Sequence, residues 1–116
     1  MAGAAILIRW DRPISGREKQ AIALFGSVIE YYRALQADRV IESFEPVLLA
    51  PSSTSNNGFI LVRGEPERLD ALRRDERFLH FVARGEHVCA GFGVVDATIG
   101  EELQSRLIRY ATIVSQ

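Results

Sequence analysis

The feature that most limits what this chain can fold into is a change of hydrophobic period that runs through it twice. Residues 4 to 10, AAILIRW, form an apolar run of strand length. Pro13 stops further ladder bonding, and Ser15 followed by Glu18 reproduces the S-x-x-E capping box, which predicts a helix from near Gly16. Ile22, Phe25, Ile29 and Tyr32 then recur at three and four, joined by Leu24, Val28 and Leu35. Glu18, Lys19, Glu30, Arg33 and Gln36 take the other side, giving an amphipathic helix of about six turns. From Val40 the period drops to two. VIESFEPVLLA alternates Ile41, Ser43, Glu45, Val47 and Leu49 against Val40, Glu42, Phe44, Pro46 and Leu48. Pro46 lacks an N–H, which places this second strand at a sheet edge or a bulge. PSSTSNNG, residues 51 to 58, is a turn cluster, and FILVRG after it reads as a third strand antiparallel to the second, a hairpin with a mobile tip.

The second half repeats the alternation. Glu65 and Pro66 open a second helix, since proline suits the first helical position and acids suit the positive end of the dipole. Leu69, Leu72, Phe78, Leu79 and Val82 form its apolar side, while the charged run Arg73 to Arg77 predicts a kink or break near Asp75. Gly85 is expected to end that helix, and HVCAGFGVVDATI supplies a fourth strand whose Gly91 and Gly93 mark a bend or a close approach to the backbone. Thr98 with Glu101 offers another capping box, and Leu103, Leu107, Tyr110 and Val114 stripe a third helix. The order βαββαβ with helical crossovers defines an α+β, ferredoxin-like sandwich: a four-stranded antiparallel sheet plus a C-terminal helix.

Composition narrows the partners. A chain of 116 residues fits one domain, residues 1–116, and buries about 65% of its unfolded surface, enough for a core without staples. A net charge of -1 supplies no general footprint for phosphate backbones, so nucleic acid is not an expected partner. The N-terminal apolar run breaks at Arg9, well short of the ~18 residues a membrane span needs. Cys89 is the sole cysteine, which rules out a disulfide within the chain and fits a reducing cytoplasm.

An ordinary ferredoxin-like domain leaves one sheet face to water, so its strands should alternate polar and apolar. AAILI, FILV and CAGFGVV are apolar on both faces, and a second copy of the chain is the economical cover. On these segments the chain resembles the dimeric α/β-barrel superfamily, in which two such sheets pack face to face, and the resemblance covers nearly the whole length. Within it the chain is similar to a group of small bacterial proteins with a WDRP turn and an ESFEPVLL second strand, matched at Trp10 to Pro13 and at Glu42 to Leu49. The resemblance implies a homodimer. It leaves open the activity, because the superfamily includes cofactor-free monooxygenases, muconolactone isomerases, haem-degrading and haem-dependent peroxidase relatives, and stress-responsive proteins.

Candidate site residues follow from that frame. Arg9 shares a strand face with Leu7 and Asp11, and if that face looks into the barrel it meets Glu45 or Arg63, a polar cluster in an apolar cavity suited to a small hydrophobic or aromatic ligand. The competing expectation is a structural ion pair of Arg9 with Glu42 or Glu45. His80 joins the set because histidine can act as acid, base or metal ligand; Arg9, Glu45, Arg63 and His80 are thus the ligand-binding candidates, and His80, Arg9 and Glu45 the catalytic ones. No cofactor is expected. Haem with His80 as axial ligand is the alternative, although the haem-degrading pattern of an asparagine on the first strand and a tryptophan on the second helix is not met. His80 and His87 are too sparse for a metal site. Trp10 reads as a packing anchor, Tyr31 and Tyr32 as residues straddling a core boundary, and Cys89 as an inert buried thiol. Two functions follow: a ligand-binding protein that extends to cofactor-free oxygenation or isomerisation, or a non-catalytic dimerisation module.

Overall fold

The computed structural model describes residues 3–50 and 57–116. The tip of the predicted hairpin, residues 51–56, lies outside the described residues. Strand β1 (Ala4–Trp10) leads through a two-residue strand β2 (Arg12–Pro13) to helix α1 (Glu18–Ala37). Strands β3 (Ser43–Leu48) and β4 (Gly58–Gly64) follow, then helices α2 (Pro66–Arg73) and α3 (Glu76–Val88). The short β5 (Cys89–Ala90), β6 (Gly93–Ala97) and α4 (Gly100–Val114) complete the order. The main sheet runs β3-β4-β1-β6, antiparallel throughout, which is the ferredoxin-like arrangement read from the sequence.

β1 is central because it is apolar on both faces and can therefore be hydrogen-bonded on both edges and covered. It pairs from Ala4↔Gly64 to Trp10↔Gly58 on one side and from Ala5↔Ala97 to Arg9↔Gly93 on the other. β3 is an edge strand, where Pro46 costs no ladder bond. Ile6, Ile8 and Trp10 of β1 and Ile60 and Val62 of β4 point to one face, where they pack with Tyr31 and Tyr32 of α1, Leu69 and Leu72 of α2 and Phe78 of α3. The opposite face carries Leu7, Phe59, Leu61 and Val95, and no described element of the chain lies over it; Val95 is 47% exposed.

Several local expectations are corrected. Glu18 does reach back, its carboxylate accepting from the Gly16 N–H at 2.9 Å, but the helix begins two residues after Gly16, with Arg17 at the cap and no bond from Ser15. Thr98 does not cap α4 either: its hydroxyl accepts from Arg106 at 2.6 Å, and Ile99 holds the cap position. The buried arc of α1 is centred on Ala21, Leu24, Val28, Tyr31 and Tyr32, so Ile22, about 100° round the helix from Ala21, is exposed rather than part of the stripe. Leu79 on α3 is exposed for the same reason of phase. The break near Asp75 occurs as expected, with the Asp75 carboxylate capping α3 by accepting from the Arg77 N–H at 3.1 Å.

Gly85 does not end its helix. It is buried inside α3, and a Cβ there would overlap the ring of Phe92, so its role is close packing. The predicted fourth strand is two strands. Gly91 takes φ +66, which turns the chain so that β5 pairs with β2 while β6 pairs with β1.

Ile6 is 1% exposed at the middle of the sheet, and truncation there leaves a hole that the hydrogen-bonded strand cannot collapse into. Ile6→Ala should lower unfolding free energy by about 2–5 kcal/mol in urea titration. Ile22→Ala, on a side chain 73% exposed, should change it by no more than about 0.5 kcal/mol. Equal losses would contradict this assignment of inside and outside.

Candidate functional site

The helices do not close fully onto the sheet. Between its helix-side face, α1 and α3 lies a cavity of about 350 Å³. Its floor is Ile8 and Ile60 of the sheet; α1 contributes Phe25 and Val28, α3 contributes Phe78, Phe81 and Val82, and Phe92 enters from the bend between β5 and β6. The small Ala21 and Gly85 stand in the same walls, Gly85 against the ring of Phe92. Ile22 and Leu48, 73% and 67% exposed, also line it, which puts the open mouth at the start of α1 and the end of β3.

Few polar groups reach this space. The Trp10 indole Nε1 donates to the Asn57 amide oxygen at 3.0 Å, tying the end of β1 to the start of the β4 segment, while the Trp10 ring meets Phe25 edge-on at 5.8 Å. Tyr32 lines the wall at 2% exposure, and among the described residues its hydroxyl has no hydrogen-bond partner. Burial pushes the Tyr32 phenol up, with the neighbouring Tyr31 adding to the effect, so Tyr32 stays protonated and can donate. Burial likewise raises the Cys89 thiol, the reverse of what a nucleophilic thiol needs. Among the described residues no carboxylate, imidazole, ammonium or guanidinium lines the cavity.

The four predicted binding residues are not brought together. Arg9 meets neither Glu45 nor Arg63. Its guanidinium pairs with the Asp11 carboxylate two residues along the same face and donates to the Gly91 carbonyl at 2.6 Å. The cause is the split of the last strand: the turn at Gly91 brings its carbonyl beside Asp11, which offers Arg9 nearer acceptors than β3 does. Arg63 and Glu45 pair with each other at 3.2 Å on the outer face, one strand apart. Glu42 uses its backbone, its N–H donating to the Arg63 carbonyl at 2.8 Å. His80 is exposed on α3, its ring edge-on to Phe81 at 5.8 Å, and is not part of the cavity lining.

Tyr31 stands apart from the cavity lining. Its hydroxyl lies 3.5 Å from the Asp75 carboxylate with Arg77 over its ring; burial, then the Asp75 charge, push it up to about 12. No group of three or more His, Cys, Asp or Glu side chains among the described residues is placed to hold a metal ion. Sequence reading missed the real lining because Phe25, Phe78 and Phe81 carry the same helical period whether they fill a core or border a void. Asn57 lay hidden in the turn cluster. The Gly-Phe-Gly of residues 91–93 was the one available signal, a ring flanked by two flexible residues.

No protein-family model matches the chain, and no curated protein matches it. Solved structures do. A dimeric ferredoxin-like protein of unknown function from Bacteroides fragilis superposes with a TM-score of 0.60 at 14% identity, over 84% of this chain and 97% of that one. A second dimeric ferredoxin-like protein of unknown function, from Jannaschia sp. CCS1, gives 0.62 at 10% identity with the same coverage. A NIPSNAP family protein from Agrobacterium tumefaciens gives 0.50 at 17% identity, over 87% and 90%. The fold is ferredoxin-like. These likenesses point to no specific activity.

Two measurements check the local geometry. Gly91→Ala places a side chain at φ +66 and against the Asp11 carboxylate, and should destabilise by about 1–3 kcal/mol, whereas Gly93→Ala, with open space around its Cβ, should cost far less. Alkylation of Cys89 by iodoacetamide should follow a pH profile displaced upward in the folded protein relative to the urea-unfolded chain, because desolvation disfavours the thiolate. A downward displacement would contradict the inert-thiol assignment.

Proposed function

We propose that the protein binds a small, neutral, largely apolar or aromatic molecule in the cavity between the sheet and helices α1 and α3. The observation that carries this reading is the cavity itself: about 350 Å³, walled by aromatic and aliphatic side chains, and open at one end. That is the size and chemistry of a small-molecule site, in which a few polar groups fix orientation. Here those groups are the Tyr32 hydroxyl and the Asn57–Trp10 pair. Arg9, Glu45, Arg63 and His80, which lie off the cavity lining, are not part of the proposed site.

Among the described residues no charged group lines the cavity, and this selects among ligands. A carboxylate buried here would lose its hydration with no cation to compensate, a cost of several kcal/mol. Neutral phenols, quinones and aromatic hydrocarbons carry no such penalty. It also separates binding from catalysis. Cofactor-free oxygenation or isomerisation begins with removal of a substrate proton, and neither Tyr32 nor Cys89, both held protonated by burial, is a base near neutral pH. Ligand binding is therefore the function the geometry favours.

Homodimerisation belongs to the same reading. The outer sheet face, with Leu7, Phe59, Leu61 and the half-exposed Val95, is supported as a contact between two copies by its apolar character and by the dimers described for two fold neighbours. Such a pair of sheets would form the two-chain barrel. A free thiol at Cys89 suits a cytoplasmic setting, and the near-neutral charge suits a partner that is not nucleic acid.

Thermal-shift titration with 2-naphthol, a naphthoquinone and 2-naphthoate tests the proposal. The neutral compounds should raise the melting temperature in proportion to log concentration, and the carboxylate should not. Val82→Trp, which fills the cavity, should fold with an unchanged circular dichroism spectrum and abolish the shift. No shift with any neutral aromatic at millimolar concentration would overturn the proposal and leave the dimerisation module as the function.

A further inference from the structure

Helix α4 is built as an amphipathic helix and buries nothing. Leu103, Leu107, Tyr110 and Val114 follow at four, three and four, one stripe, while Ile108 and Ile113 lie off it on other sides of the helix. Every residue from Gly100 to Val114 is exposed. Thr98 and Ile99 alone join β6 to α4, and Gly100 with φ +60 directs the helix outward. The side of α4 nearest its own body is polar: Arg106 bonds Thr98, and Glu102, Arg106 and Arg109 border a crevice with Gly3, Pro66 and Asp96. Among the described residues, none buries a side chain of the apolar stripe. The radius of gyration shows the same projection, 15.8 Å where a compact chain of this length has about 13 Å.

We infer that α4 is exchanged between two copies of this chain, its Leu103–Leu107–Tyr110–Val114 stripe packing on the second copy and sealing the flank of the layer formed by the two outer sheet faces. Three observations select this occupant. The exposed fractions of the four stripe side chains, from 41% for Leu103 to 65% for Tyr110, correspond to on the order of 400 Å², about half of the roughly 800 Å² per partner that a stable interface buries, and the outer sheet face adds to it. The polar side of α4 has two acids and two arginines, Glu101, Glu102, Arg106 and Arg109, so it lacks the cationic face that holds a helix on anionic lipid. The chain has a second uncovered apolar surface, the outer sheet face, and one partner covers both only if it is another copy related by a two-fold axis.

The inference rests on the homodimer proposed above and adds the route by which it is closed. Its test uses the full chain. Tyr110 is replaced by the photoreactive p-benzoylphenylalanine, and protein grown on ¹⁴N is mixed with protein grown on ¹⁵N, re-equilibrated and irradiated at about 50 µM, with and without vesicles of neutral and anionic phospholipid. Isotope-hybrid cross-linked peptides are the expected result, and Leu107→Glu with Val114→Glu should weaken dimerisation at least tenfold by light scattering while leaving the melting temperature of the dilute monomer unchanged. A dimer whose cross-links lie wholly within one chain would overturn the exchange of α4 and leave the sheet-face dimer standing. A monomer at that concentration would overturn both, and cross-linking to phospholipid in place of protein would assign the stripe to a membrane surface.

Discussion

The structure depends on β1 being hydrogen-bonded along both edges while burying Ile6, Ile8 and Trp10 on one face. A strand in that position cannot carry charge in its middle, and β1 carries none until Arg9, at the point where the sheet gives way to the β2–β5 pairing. Everything else is placed relative to it. β4 and β6 take its two edges, β3 adds outside β4, and the three helices after β1 and β4 lie over the face to which Ile6 and Ile8 point. The pairing of Arg9 with Asp11 and Gly91 then finishes the strand: it satisfies the one guanidinium on β1 and clamps the turn that separates β5 from β6.

That turn also shapes the cavity. Gly91 throws Phe92 toward α3, and Gly85 on α3 makes room for the ring, so two glycines on different elements permit one aromatic contact. Aliphatic side chains and a ring close one part of the α1–α3 seam, where Ala21, Leu24 and Val28 meet Val88 and Phe81, and the cavity lies beside that contact. The space persists as an apolar void in the same layer that supplies the core. Charge is excluded from it and gathered elsewhere: Arg63 with Glu45 on the outer face, Arg73 with Asp96 at the β6 edge.

Much of the fold was legible in the sequence because periods of two and 3.6 residues are imposed by backbone geometry. The edge position of β3 followed from Pro46, the break between α2 and α3 from the charged run around Asp75, and the stripe of α4 from Leu103 to Val114. What escaped were features decided by tertiary contact. Gly85 looks like a helix terminator by type and is a packing residue by context. Residues 87 to 99 look like one strand, and only the φ of Gly91 splits them. The site is the least legible part: a guanidinium on an otherwise apolar strand requires a partner, but periodicity carries no information about which acceptor lies nearest. Conversely, a cavity is an absence, and aromatic residues at core spacing give the same pattern whether or not the space between them is filled.

On the proposal above, the space between the sheet and helices α1 and α3 receives a neutral aromatic molecule. Methyl-resolved NMR with selective ¹³C labelling of Ile, Leu and Val tests it most directly, during titration with 2-naphthol. Binding in the cavity should give saturable, ring-current-sized shifts for Ile8, Val28, Ile60 and Val82, whose side chains line it, with Leu7, Leu61 and Val95 on the outer face unmoved. Shifts confined to the outer face, or none at all, would contradict it.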